Sequence, residues 1–307
     1  MIAAVTNELS LSRSQRGHLA MLVFSALVAG AFSLGAMAAP HVSPSAITVL
    51  RFALAGTLVG TTAALTVGIP RTAWAAPWRY LVLGGLLASY FVLMFWGLQT
   101  AKAVPTAAVF TLTPILAAGF GWVLLGQITT LRMALALCIG AFGALWVIFQ
   151  GDIAALLRLE VGRGEIVYFV GCIAHAFYAP LVRKLNRGET ALVFTFGTMV
   201  AGFVLLVAWG WRDVLATDWA ALPSIVWVCL IYVSIAASAM SFVLLQFATL
   251  RLPSAKVMAY TYLVPSWVIL WELALGRPAP PLIVLGGVGL TMLALILLLK
   301  DETAKPA

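Results

Sequence analysis

The chain has 307 residues, of which 63% are hydrophobic and 9% charged, against roughly 45–50% and 25% in soluble domains. That composition excludes a soluble globular protein and equally a soluble enzyme on one anchor: a spanning helix takes about 20 apolar residues, so ten spans use roughly 200 and leave some 100 for loops and tails. The net charge of +8 would raise nucleic acid as a partner for a soluble chain, but in a polytopic protein basic residues are orientation signals and no nucleic acid is expected.

In chain order, apolar stretches bounded by charge, Pro or Gly predict spans over 18–38, 45–67, 80–100, 103–125 and 130–149. A second set follows over 164–184, 189–210, 222–248, 254–275 and 281–299. The fold class expected is therefore an all-α polytopic membrane protein of ten transmembrane helices. Its parts are a tail (1–17), a first five-helix unit (18–149), a connection (150–163), a second five-helix unit (164–299) and a second tail (300–307). A signal peptide is the competing reading of the N-terminus, with Arg13 and Arg16 before the apolar stretch and Ala36-Met37-Ala38 as a small-residue cleavage site. The stretch is roughly 20 residues, long for such a peptide.

With the N-terminus inside, the cytoplasmic segments hold most of the 18 basic residues. The external side holds Lys102, Arg158, Arg163, Arg212 and Arg277, and Arg51 is left within the second span. This bias predicts both termini and both tails cytoplasmic and the 150–163 connection external, and the expected location is the inner (plasma) membrane. Cys138, Cys172 and Cys229 all fall in apolar stretches, as packing residues and not as a disulfide framework.

The two halves repeat a pattern. Eleven residues separate Ala103 from Pro114 in the first half and Ser254 from Pro265 in the second. Leu125-Gly126 and Leu275-Gly276 follow, then Gly140-Ala-Phe-Gly143 and Gly286-Gly-Val-Gly289. Five is odd, so the second copy inserts upside down relative to the first, giving two inverted five-helix repeats as in many secondary transporters.

At these residues, and at Arg51-Phe52, the chain resembles the EamA-type branch of the drug/metabolite transporter superfamily, and within it is most similar to the YddG-type exporters of aromatic and other neutral amino acids. The resemblance implies ten helices in two inverted repeats around a central cavity that opens to one side at a time. One departure is plain: many members carry Glu after the Leu-Gly of each half, and here Gln127 and Arg277 stand there.

Ionisable groups at bilayer depth cost at least ~2.5–3.5 kcal/mol, so the few present are informative. Asp152, Asp213, Asp218 and Asp301 are read as loop or tail residues, which excludes intramembrane aspartyl proteolysis. No nucleophile-elbow sequence is present, no catalytic residue is assigned, and the chain is read as a non-enzyme without a cofactor. Glu272 lies near the external end of the ninth span, as an interfacial acid or a gating group. His175 and Tyr178 share a face of the sixth span, either as packed, hydrogen-bonded groups or as substrate ligands. A lone deep histidine makes no metal site.

Trp74, Trp78, Trp211, Trp219 and Trp227 fall at span ends, as interfacial anchors. Tyr90, Trp96, Phe110, Phe177, Tyr260 and Tyr262 lie within spans and, as a set, are the expected lining of an amphipathic pocket. Ser241 and Gln246, with Ser238, add polar groups on the eighth span, or serve helix packing. Pro114 and Pro265 are expected to bend their helices and permit gating. The expected function is export of a small neutral metabolite, an amino acid first, by alternating access. Neutrality rests on the scarcity of deep charge: a cation pump would place a carboxylate at depth, and an anion carrier a central Lys or Arg. An intramembrane enzyme and a membrane sensor are the alternatives. The partners expected are the lipid bilayer and the small-molecule substrate, with the oligomeric state open and a monomer compatible.

Overall fold

The structure, a computed structural model, describes residues 13–158 and 161–299. The expected 300–307 tail and most of the expected N-terminal tail lie outside the described residues. All regular structure among the described residues is helical, and ten helices are long and apolar enough to cross a membrane. They are α1 (Ser14–Ala38), α2 (Pro44–Thr66), α3 (Trp78–Leu98), α4 (Ala103–Leu125), α5 (Leu131–Ile148), α6 (Arg163–Leu185), α7 (Ala191–Ala216), α8 (Ser224–Thr249), α9 (Ser254–Ala274) and α10 (Leu282–Leu299). An even number of crossings returns the chain to its starting side. The face where α1 begins and α10 ends is the terminal face, and the opposite one the distal face.

One boundary differs in a way that moves a charge. Helix α7 continues to Ala216, beyond the expected end at 210, and so carries Asp213 on its last turns. Nothing between Gly210 and Ala216 breaks a helix. The Asp213 carboxylate accepts hydrogen bonds from the Ser43 and Ser45 hydroxyls at the start of α2. A negative charge there also complements the N-terminal end of the α2 dipole.

The repeat is visible in the way helices end and break. Helix α4 ends at Gly126 with φ 63°, and Gly276 just past α9 has φ 72°; both adopt the left-handed conformation that closes a helix and that glycine reaches without Cβ strain. Helix α4 consists of two segments, Ala103–Phe110 and Thr113–Leu125. Helix α9 runs Ser254–Ala259, a tighter turn over Tyr260–Leu263, then Val264–Ala274. Pro114 and Pro265 each take the second position of the resumed segment. A missing N–H is tolerated there because first-turn donors have no partner within the helix.

Packing follows the same exchange. Helix α3 packs on α6 as α8 packs on α1, and α4 packs on α6 as α9 packs on α1. Helices α2 and α7 pair with each other, as do α5 and α10. Each of these relations maps onto another, or onto itself, when the first five helices are exchanged for the last five, which establishes two inverted five-helix repeats. Small residues allow the closest crossings. A Cβ added at Gly164 would lie 2.4 Å from the Gly97 carbonyl, and one at Gly143 would lie 2.7 Å from the Gly287 carbonyl, so backbones meet where lipid gives little hydrophobic drive and contact area must supply the attraction.

Candidate functional site

At the junction of the two repeats a small chamber of about 10 Å³ is lined by aromatic and apolar side chains around two polar ones, Arg51 and His175. The walls come from α1, α2, α3 and α4 of the first repeat and from α6 and α8 of the second. The Tyr90 and His175 rings stack at 4.4 Å, Phe110 lies 5.2 Å from His175, and Phe242 meets His175 edge-on at 6.1 Å. Such ring pairs add about 0.5–1.5 kcal/mol each beyond area burial, enough to hold the wall in one arrangement. Tyr90 exchanges a 2.9 Å hydrogen bond with Tyr168. Among the described residues neither ring nitrogen of His175 has a hydrogen-bond partner, although the residue is fully buried.

Arg51 is the residue that the scarcity of deep charge did not anticipate. It is 0% exposed, projecting from α2 to α8, where Nε donates to Ser238 Oγ at 2.5 Å and Nη2 donates to the Ala237 carbonyl at 2.7 Å. Both acceptors lie in a π-helical turn over Ile235–Met240, a widening of the helix that commonly marks functional sites. The guanidinium also sits 3.4 Å from the centre of the Phe91 ring, a cation–π contact worth ~2 kcal/mol or more when desolvated. Nη1 has no hydrogen-bond partner among the described residues. The signal was present in the sequence as the single Arg left inside a span, and its weight was misjudged: the central cation taken as the mark of an anion carrier is there.

On the distal face a funnel of about 570 Å³ descends between the ends of α1, α3, α4, α5, α9 and α10. Ser33 and Pro105 line it, whereas their neighbours Phe32 and Phe110 line the chamber. The Phe32 ring lies 5.9 Å from Phe110 and 5.8 Å from Tyr168, so these rings separate funnel from chamber. Lys102, Glu272 and Arg277 are at the funnel's rim.

The terminal face is sealed. Gln127 Oε1 accepts the backbone N–H of Ser254 at 3.1 Å, joining the end of α4 to the start of α9. His18 Nδ1 and the Tyr260 hydroxyl share a 3.0 Å hydrogen bond between α1 and α9. Arg79 and Glu189 form a 2.7 Å ion pair with both side chains buried, and Arg79 Nη1 also donates to the Leu185 carbonyl at 2.7 Å. Burial pushes the Glu189 carboxyl upward, but the hydrogen bonds from Arg79 and from backbone N–H groups outweigh it and hold the group below the usual glutamate range.

The residues expected at the site divide accordingly. His175, Tyr90 and Phe110 line the chamber. Tyr178 is buried beside it, its ring nearly parallel to His175, and its hydroxyl accepts from Gln246 Nε2 at 2.7 Å. Gln246 Oε1 and Ser241 Oγ are buried without partners just beyond, while Ser238 is committed to Arg51. Trp96 is not with them: it is 48% exposed on the outer surface and shares a lateral groove with Trp209. Phe177 packs edge-on against Phe120 at 4.9 Å, between α6 and α4. Tyr260 belongs to the terminal seam. The Tyr262 ring fills the space left by Gly140 on α5, and its carbonyl accepts from Thr291 on α10. Glu272 stands at the funnel rim. Residues one helical turn apart face together, but which face of a helix meets the centre depends on its neighbours, and that divided the aromatics.

Among the described residues no three of His, Cys, Asp and Glu come together as a metal site. Residues 15–149 and 162–300 each match the EamA-like transporter family. The chain is similar to a protein of Bacillus subtilis (strain 168) described as the uncharacterized transporter YyaM, with 26% identity over 273 residues covering 88% of this chain and 90% of that one. A chain of known crystal structure superposes with a TM-score of 0.71 at 20% identity, covering 95% of this chain and 99% of the other, and has the same fold. The family and its named relative point to transport and not to an enzyme, and the ten apolar helices to a multi-pass protein of the lipid bilayer that takes a small-molecule substrate. With one family match in each half and the inverted five-helix repeats between them, this chain belongs to the EamA-like transporter family.

Proposed function

We propose that this protein is an exporter of small neutral amino-acid-like metabolites, aromatic ones first, across the inner membrane by alternating access, with both termini in the cytoplasm. The observation that carries this reading is the arrangement along the axis: a distal funnel of about 570 Å³, an aromatic chamber contracted to about 10 Å³, and a sealed terminal face. That is one gate open and one closed around a site at the repeat interface. The ring-lined wall suits an apolar or aromatic side chain, and His175 offers one donor and one acceptor as a neutral imidazole. With no carboxylate among the described residues that line the chamber, flux follows the substrate gradient.

The test is reconstitution into liposomes preloaded with radiolabelled phenylalanine or tryptophan. Efflux well above that of protein-free vesicles is expected, at a rate indifferent to an imposed pH gradient. A gradient-driven rate would replace facilitated export with proton coupling, and no flux of any neutral amino acid would overturn the substrate assignment.

A further inference from the structure

We infer that Arg51 is the anion-recognition point of the central chamber, and that the protein takes substrates bearing a free carboxylate beside an apolar or aromatic body. The inference rests on the transport reading above and specifies which group of the substrate is recognised, the carboxylate, whatever the net charge of the rest. Arg51 is fully buried, and among the described residues no carboxylate pairs with it. Two of its nitrogens are fixed by Ser238 and Ala237 on the π-turn, and its face is covered by Phe91. Nη1 alone is left unpartnered, in a side chain that lines the chamber together with His175, itself buried and unpartnered.

A buried guanidinium without a counter-charge is expensive to keep. The costs are offset when a carboxylate binds, because a charge-assisted hydrogen bond replaces a vacant donor. The opposite charge fares badly there. An amine that brings no carboxylate would enter a low-dielectric space beside a fixed cation, with no acid on the described chamber wall to receive it, whereas in an amino acid the ammonium is accompanied by its own carboxylate.

The geometry also limits which anion fits. Arg51 presents one free end, and the remaining wall is rings and aliphatic groups, with an imidazole as the other polar element. A phosphate, with more charge and more oxygens, calls for several donors; a monocarboxylate needs one or two. Entry requires the Phe32 and Phe110 rings to part, after which they can close on the apolar body of the ligand. Because Arg51 comes from the first repeat and its acceptors from the second, a ligand on Nη1 would engage a side chain that already bridges the two halves.

Four phenyl compounds separate the charges: phenylalanine, 3-phenylpropionate, phenethylamine and phenylalaninamide. Thermal stabilisation and flux are measured on the purified full chain for wild type, Arg51→Gln and Arg51→Lys. The expected result is that wild type binds the two carboxylates and neither of the others. Arg51→Gln should weaken them about 10- to 100-fold, as for loss of a charge-assisted hydrogen bond, with Arg51→Lys in between. Should Arg51→Gln fail to fold, the comparison of 3-phenylpropionate with phenethylamine on wild type decides alone. Equal binding of those two, or unchanged carboxylate affinity in a folded Arg51→Gln, would overturn the inference. Flux of the amine or amide without preference for the acids overturns it too while the transport reading stands. Selective binding of the acids with no flux of either leaves the site intact and removes the transport reading.

Discussion

The two faces of this molecule are made from equivalent helix ends, yet one is sealed and the other open. On the terminal face α4 ends in Leu-Gly followed by Gln127, whose side-chain oxygen caps Ser254 at the start of α9. On the distal face α9 ends in Leu-Gly followed by Arg277, at the rim of a funnel that also holds Lys102, the residue before α4. Glutamine can accept an N–H and arginine cannot, and Arg277 and Lys102 are like charges. The same backbone thus closes where the repeat supplies an acceptor, and the other face, where Arg277 supplies none, is open. A one-residue difference between halves is enough to bias two otherwise symmetric gates, since caps of this kind contribute about 0.5–2 kcal/mol.

The largest effect in breaking that comparison should come from the buried pair on the sealed face. Arg79→Ala leaves Glu189 without its partner and is expected to cost about 3 kcal/mol or more, read as a lower unfolding temperature in detergent. The pH dependence has a definite sign. Because the folded protein holds Glu189 below its ordinary value, the stabilisation is complete above the usual glutamate range and is lost as pH falls through the lowered value. Glu189→Gln should flatten that acid-side decline, and an unchanged profile would detach the pair from the stability of this face.

A smaller effect, about 1 kcal/mol, is expected at the caps themselves. In a cysteine-free background, Cys introduced for Ala279 in the funnel should react with a polar maleimide about tenfold faster than Cys introduced for Ala255 at the seam, a difference equivalent to ~1.4 kcal/mol. Gln127→Ala should raise labelling at 255, and Arg277→Gln, which restores an acceptor to the distal face, should lower labelling at 279. Movement in neither variant would remove the cap argument.

The smallest contrast is between aromatic residues on α3. Trp96→Ala, on the outer surface, should change phenylalanine affinity by no more than about twofold, ~0.5 kcal/mol. Tyr90→Ala, which removes ring contacts with His175, Phe91 and Phe110, should weaken it about tenfold by losing one or two such pairs. Equal effects would place substrate elsewhere.

How the site was and was not legible follows from particular residues. His175 is the one histidine within its span and stands out by type, whereas Tyr90 shares α3 with Tyr80, Phe91, Phe95 and Trp96 and does not. Trp96 and Tyr262 are aromatic like Tyr90 and have the opposite surroundings, one turned to the lateral surface and the other to Gly140. Arg51 was visible as a buried charge but was weighed as an orientation residue left over, because only the π-turn at Ile235–Met240 shows what receives it. That turn has no Pro or Gly to announce it.

By itself the sequence determined the ten spans, their segregation from charge and the duplicated order of Pro and Gly. Hydrophobicity and backbone conformation are local properties, and the bilayer leaves helices little choice but to span. The tertiary structure alone decided which helix faces meet at the centre, which nitrogen of Arg51 is left without a partner, and which face is sealed. These depend on contacts between residues as far apart as Arg51 and Ser238 or Gln127 and Ser254, and no local pattern in the chain encodes the pairing of groups brought together by the crossing of whole helices.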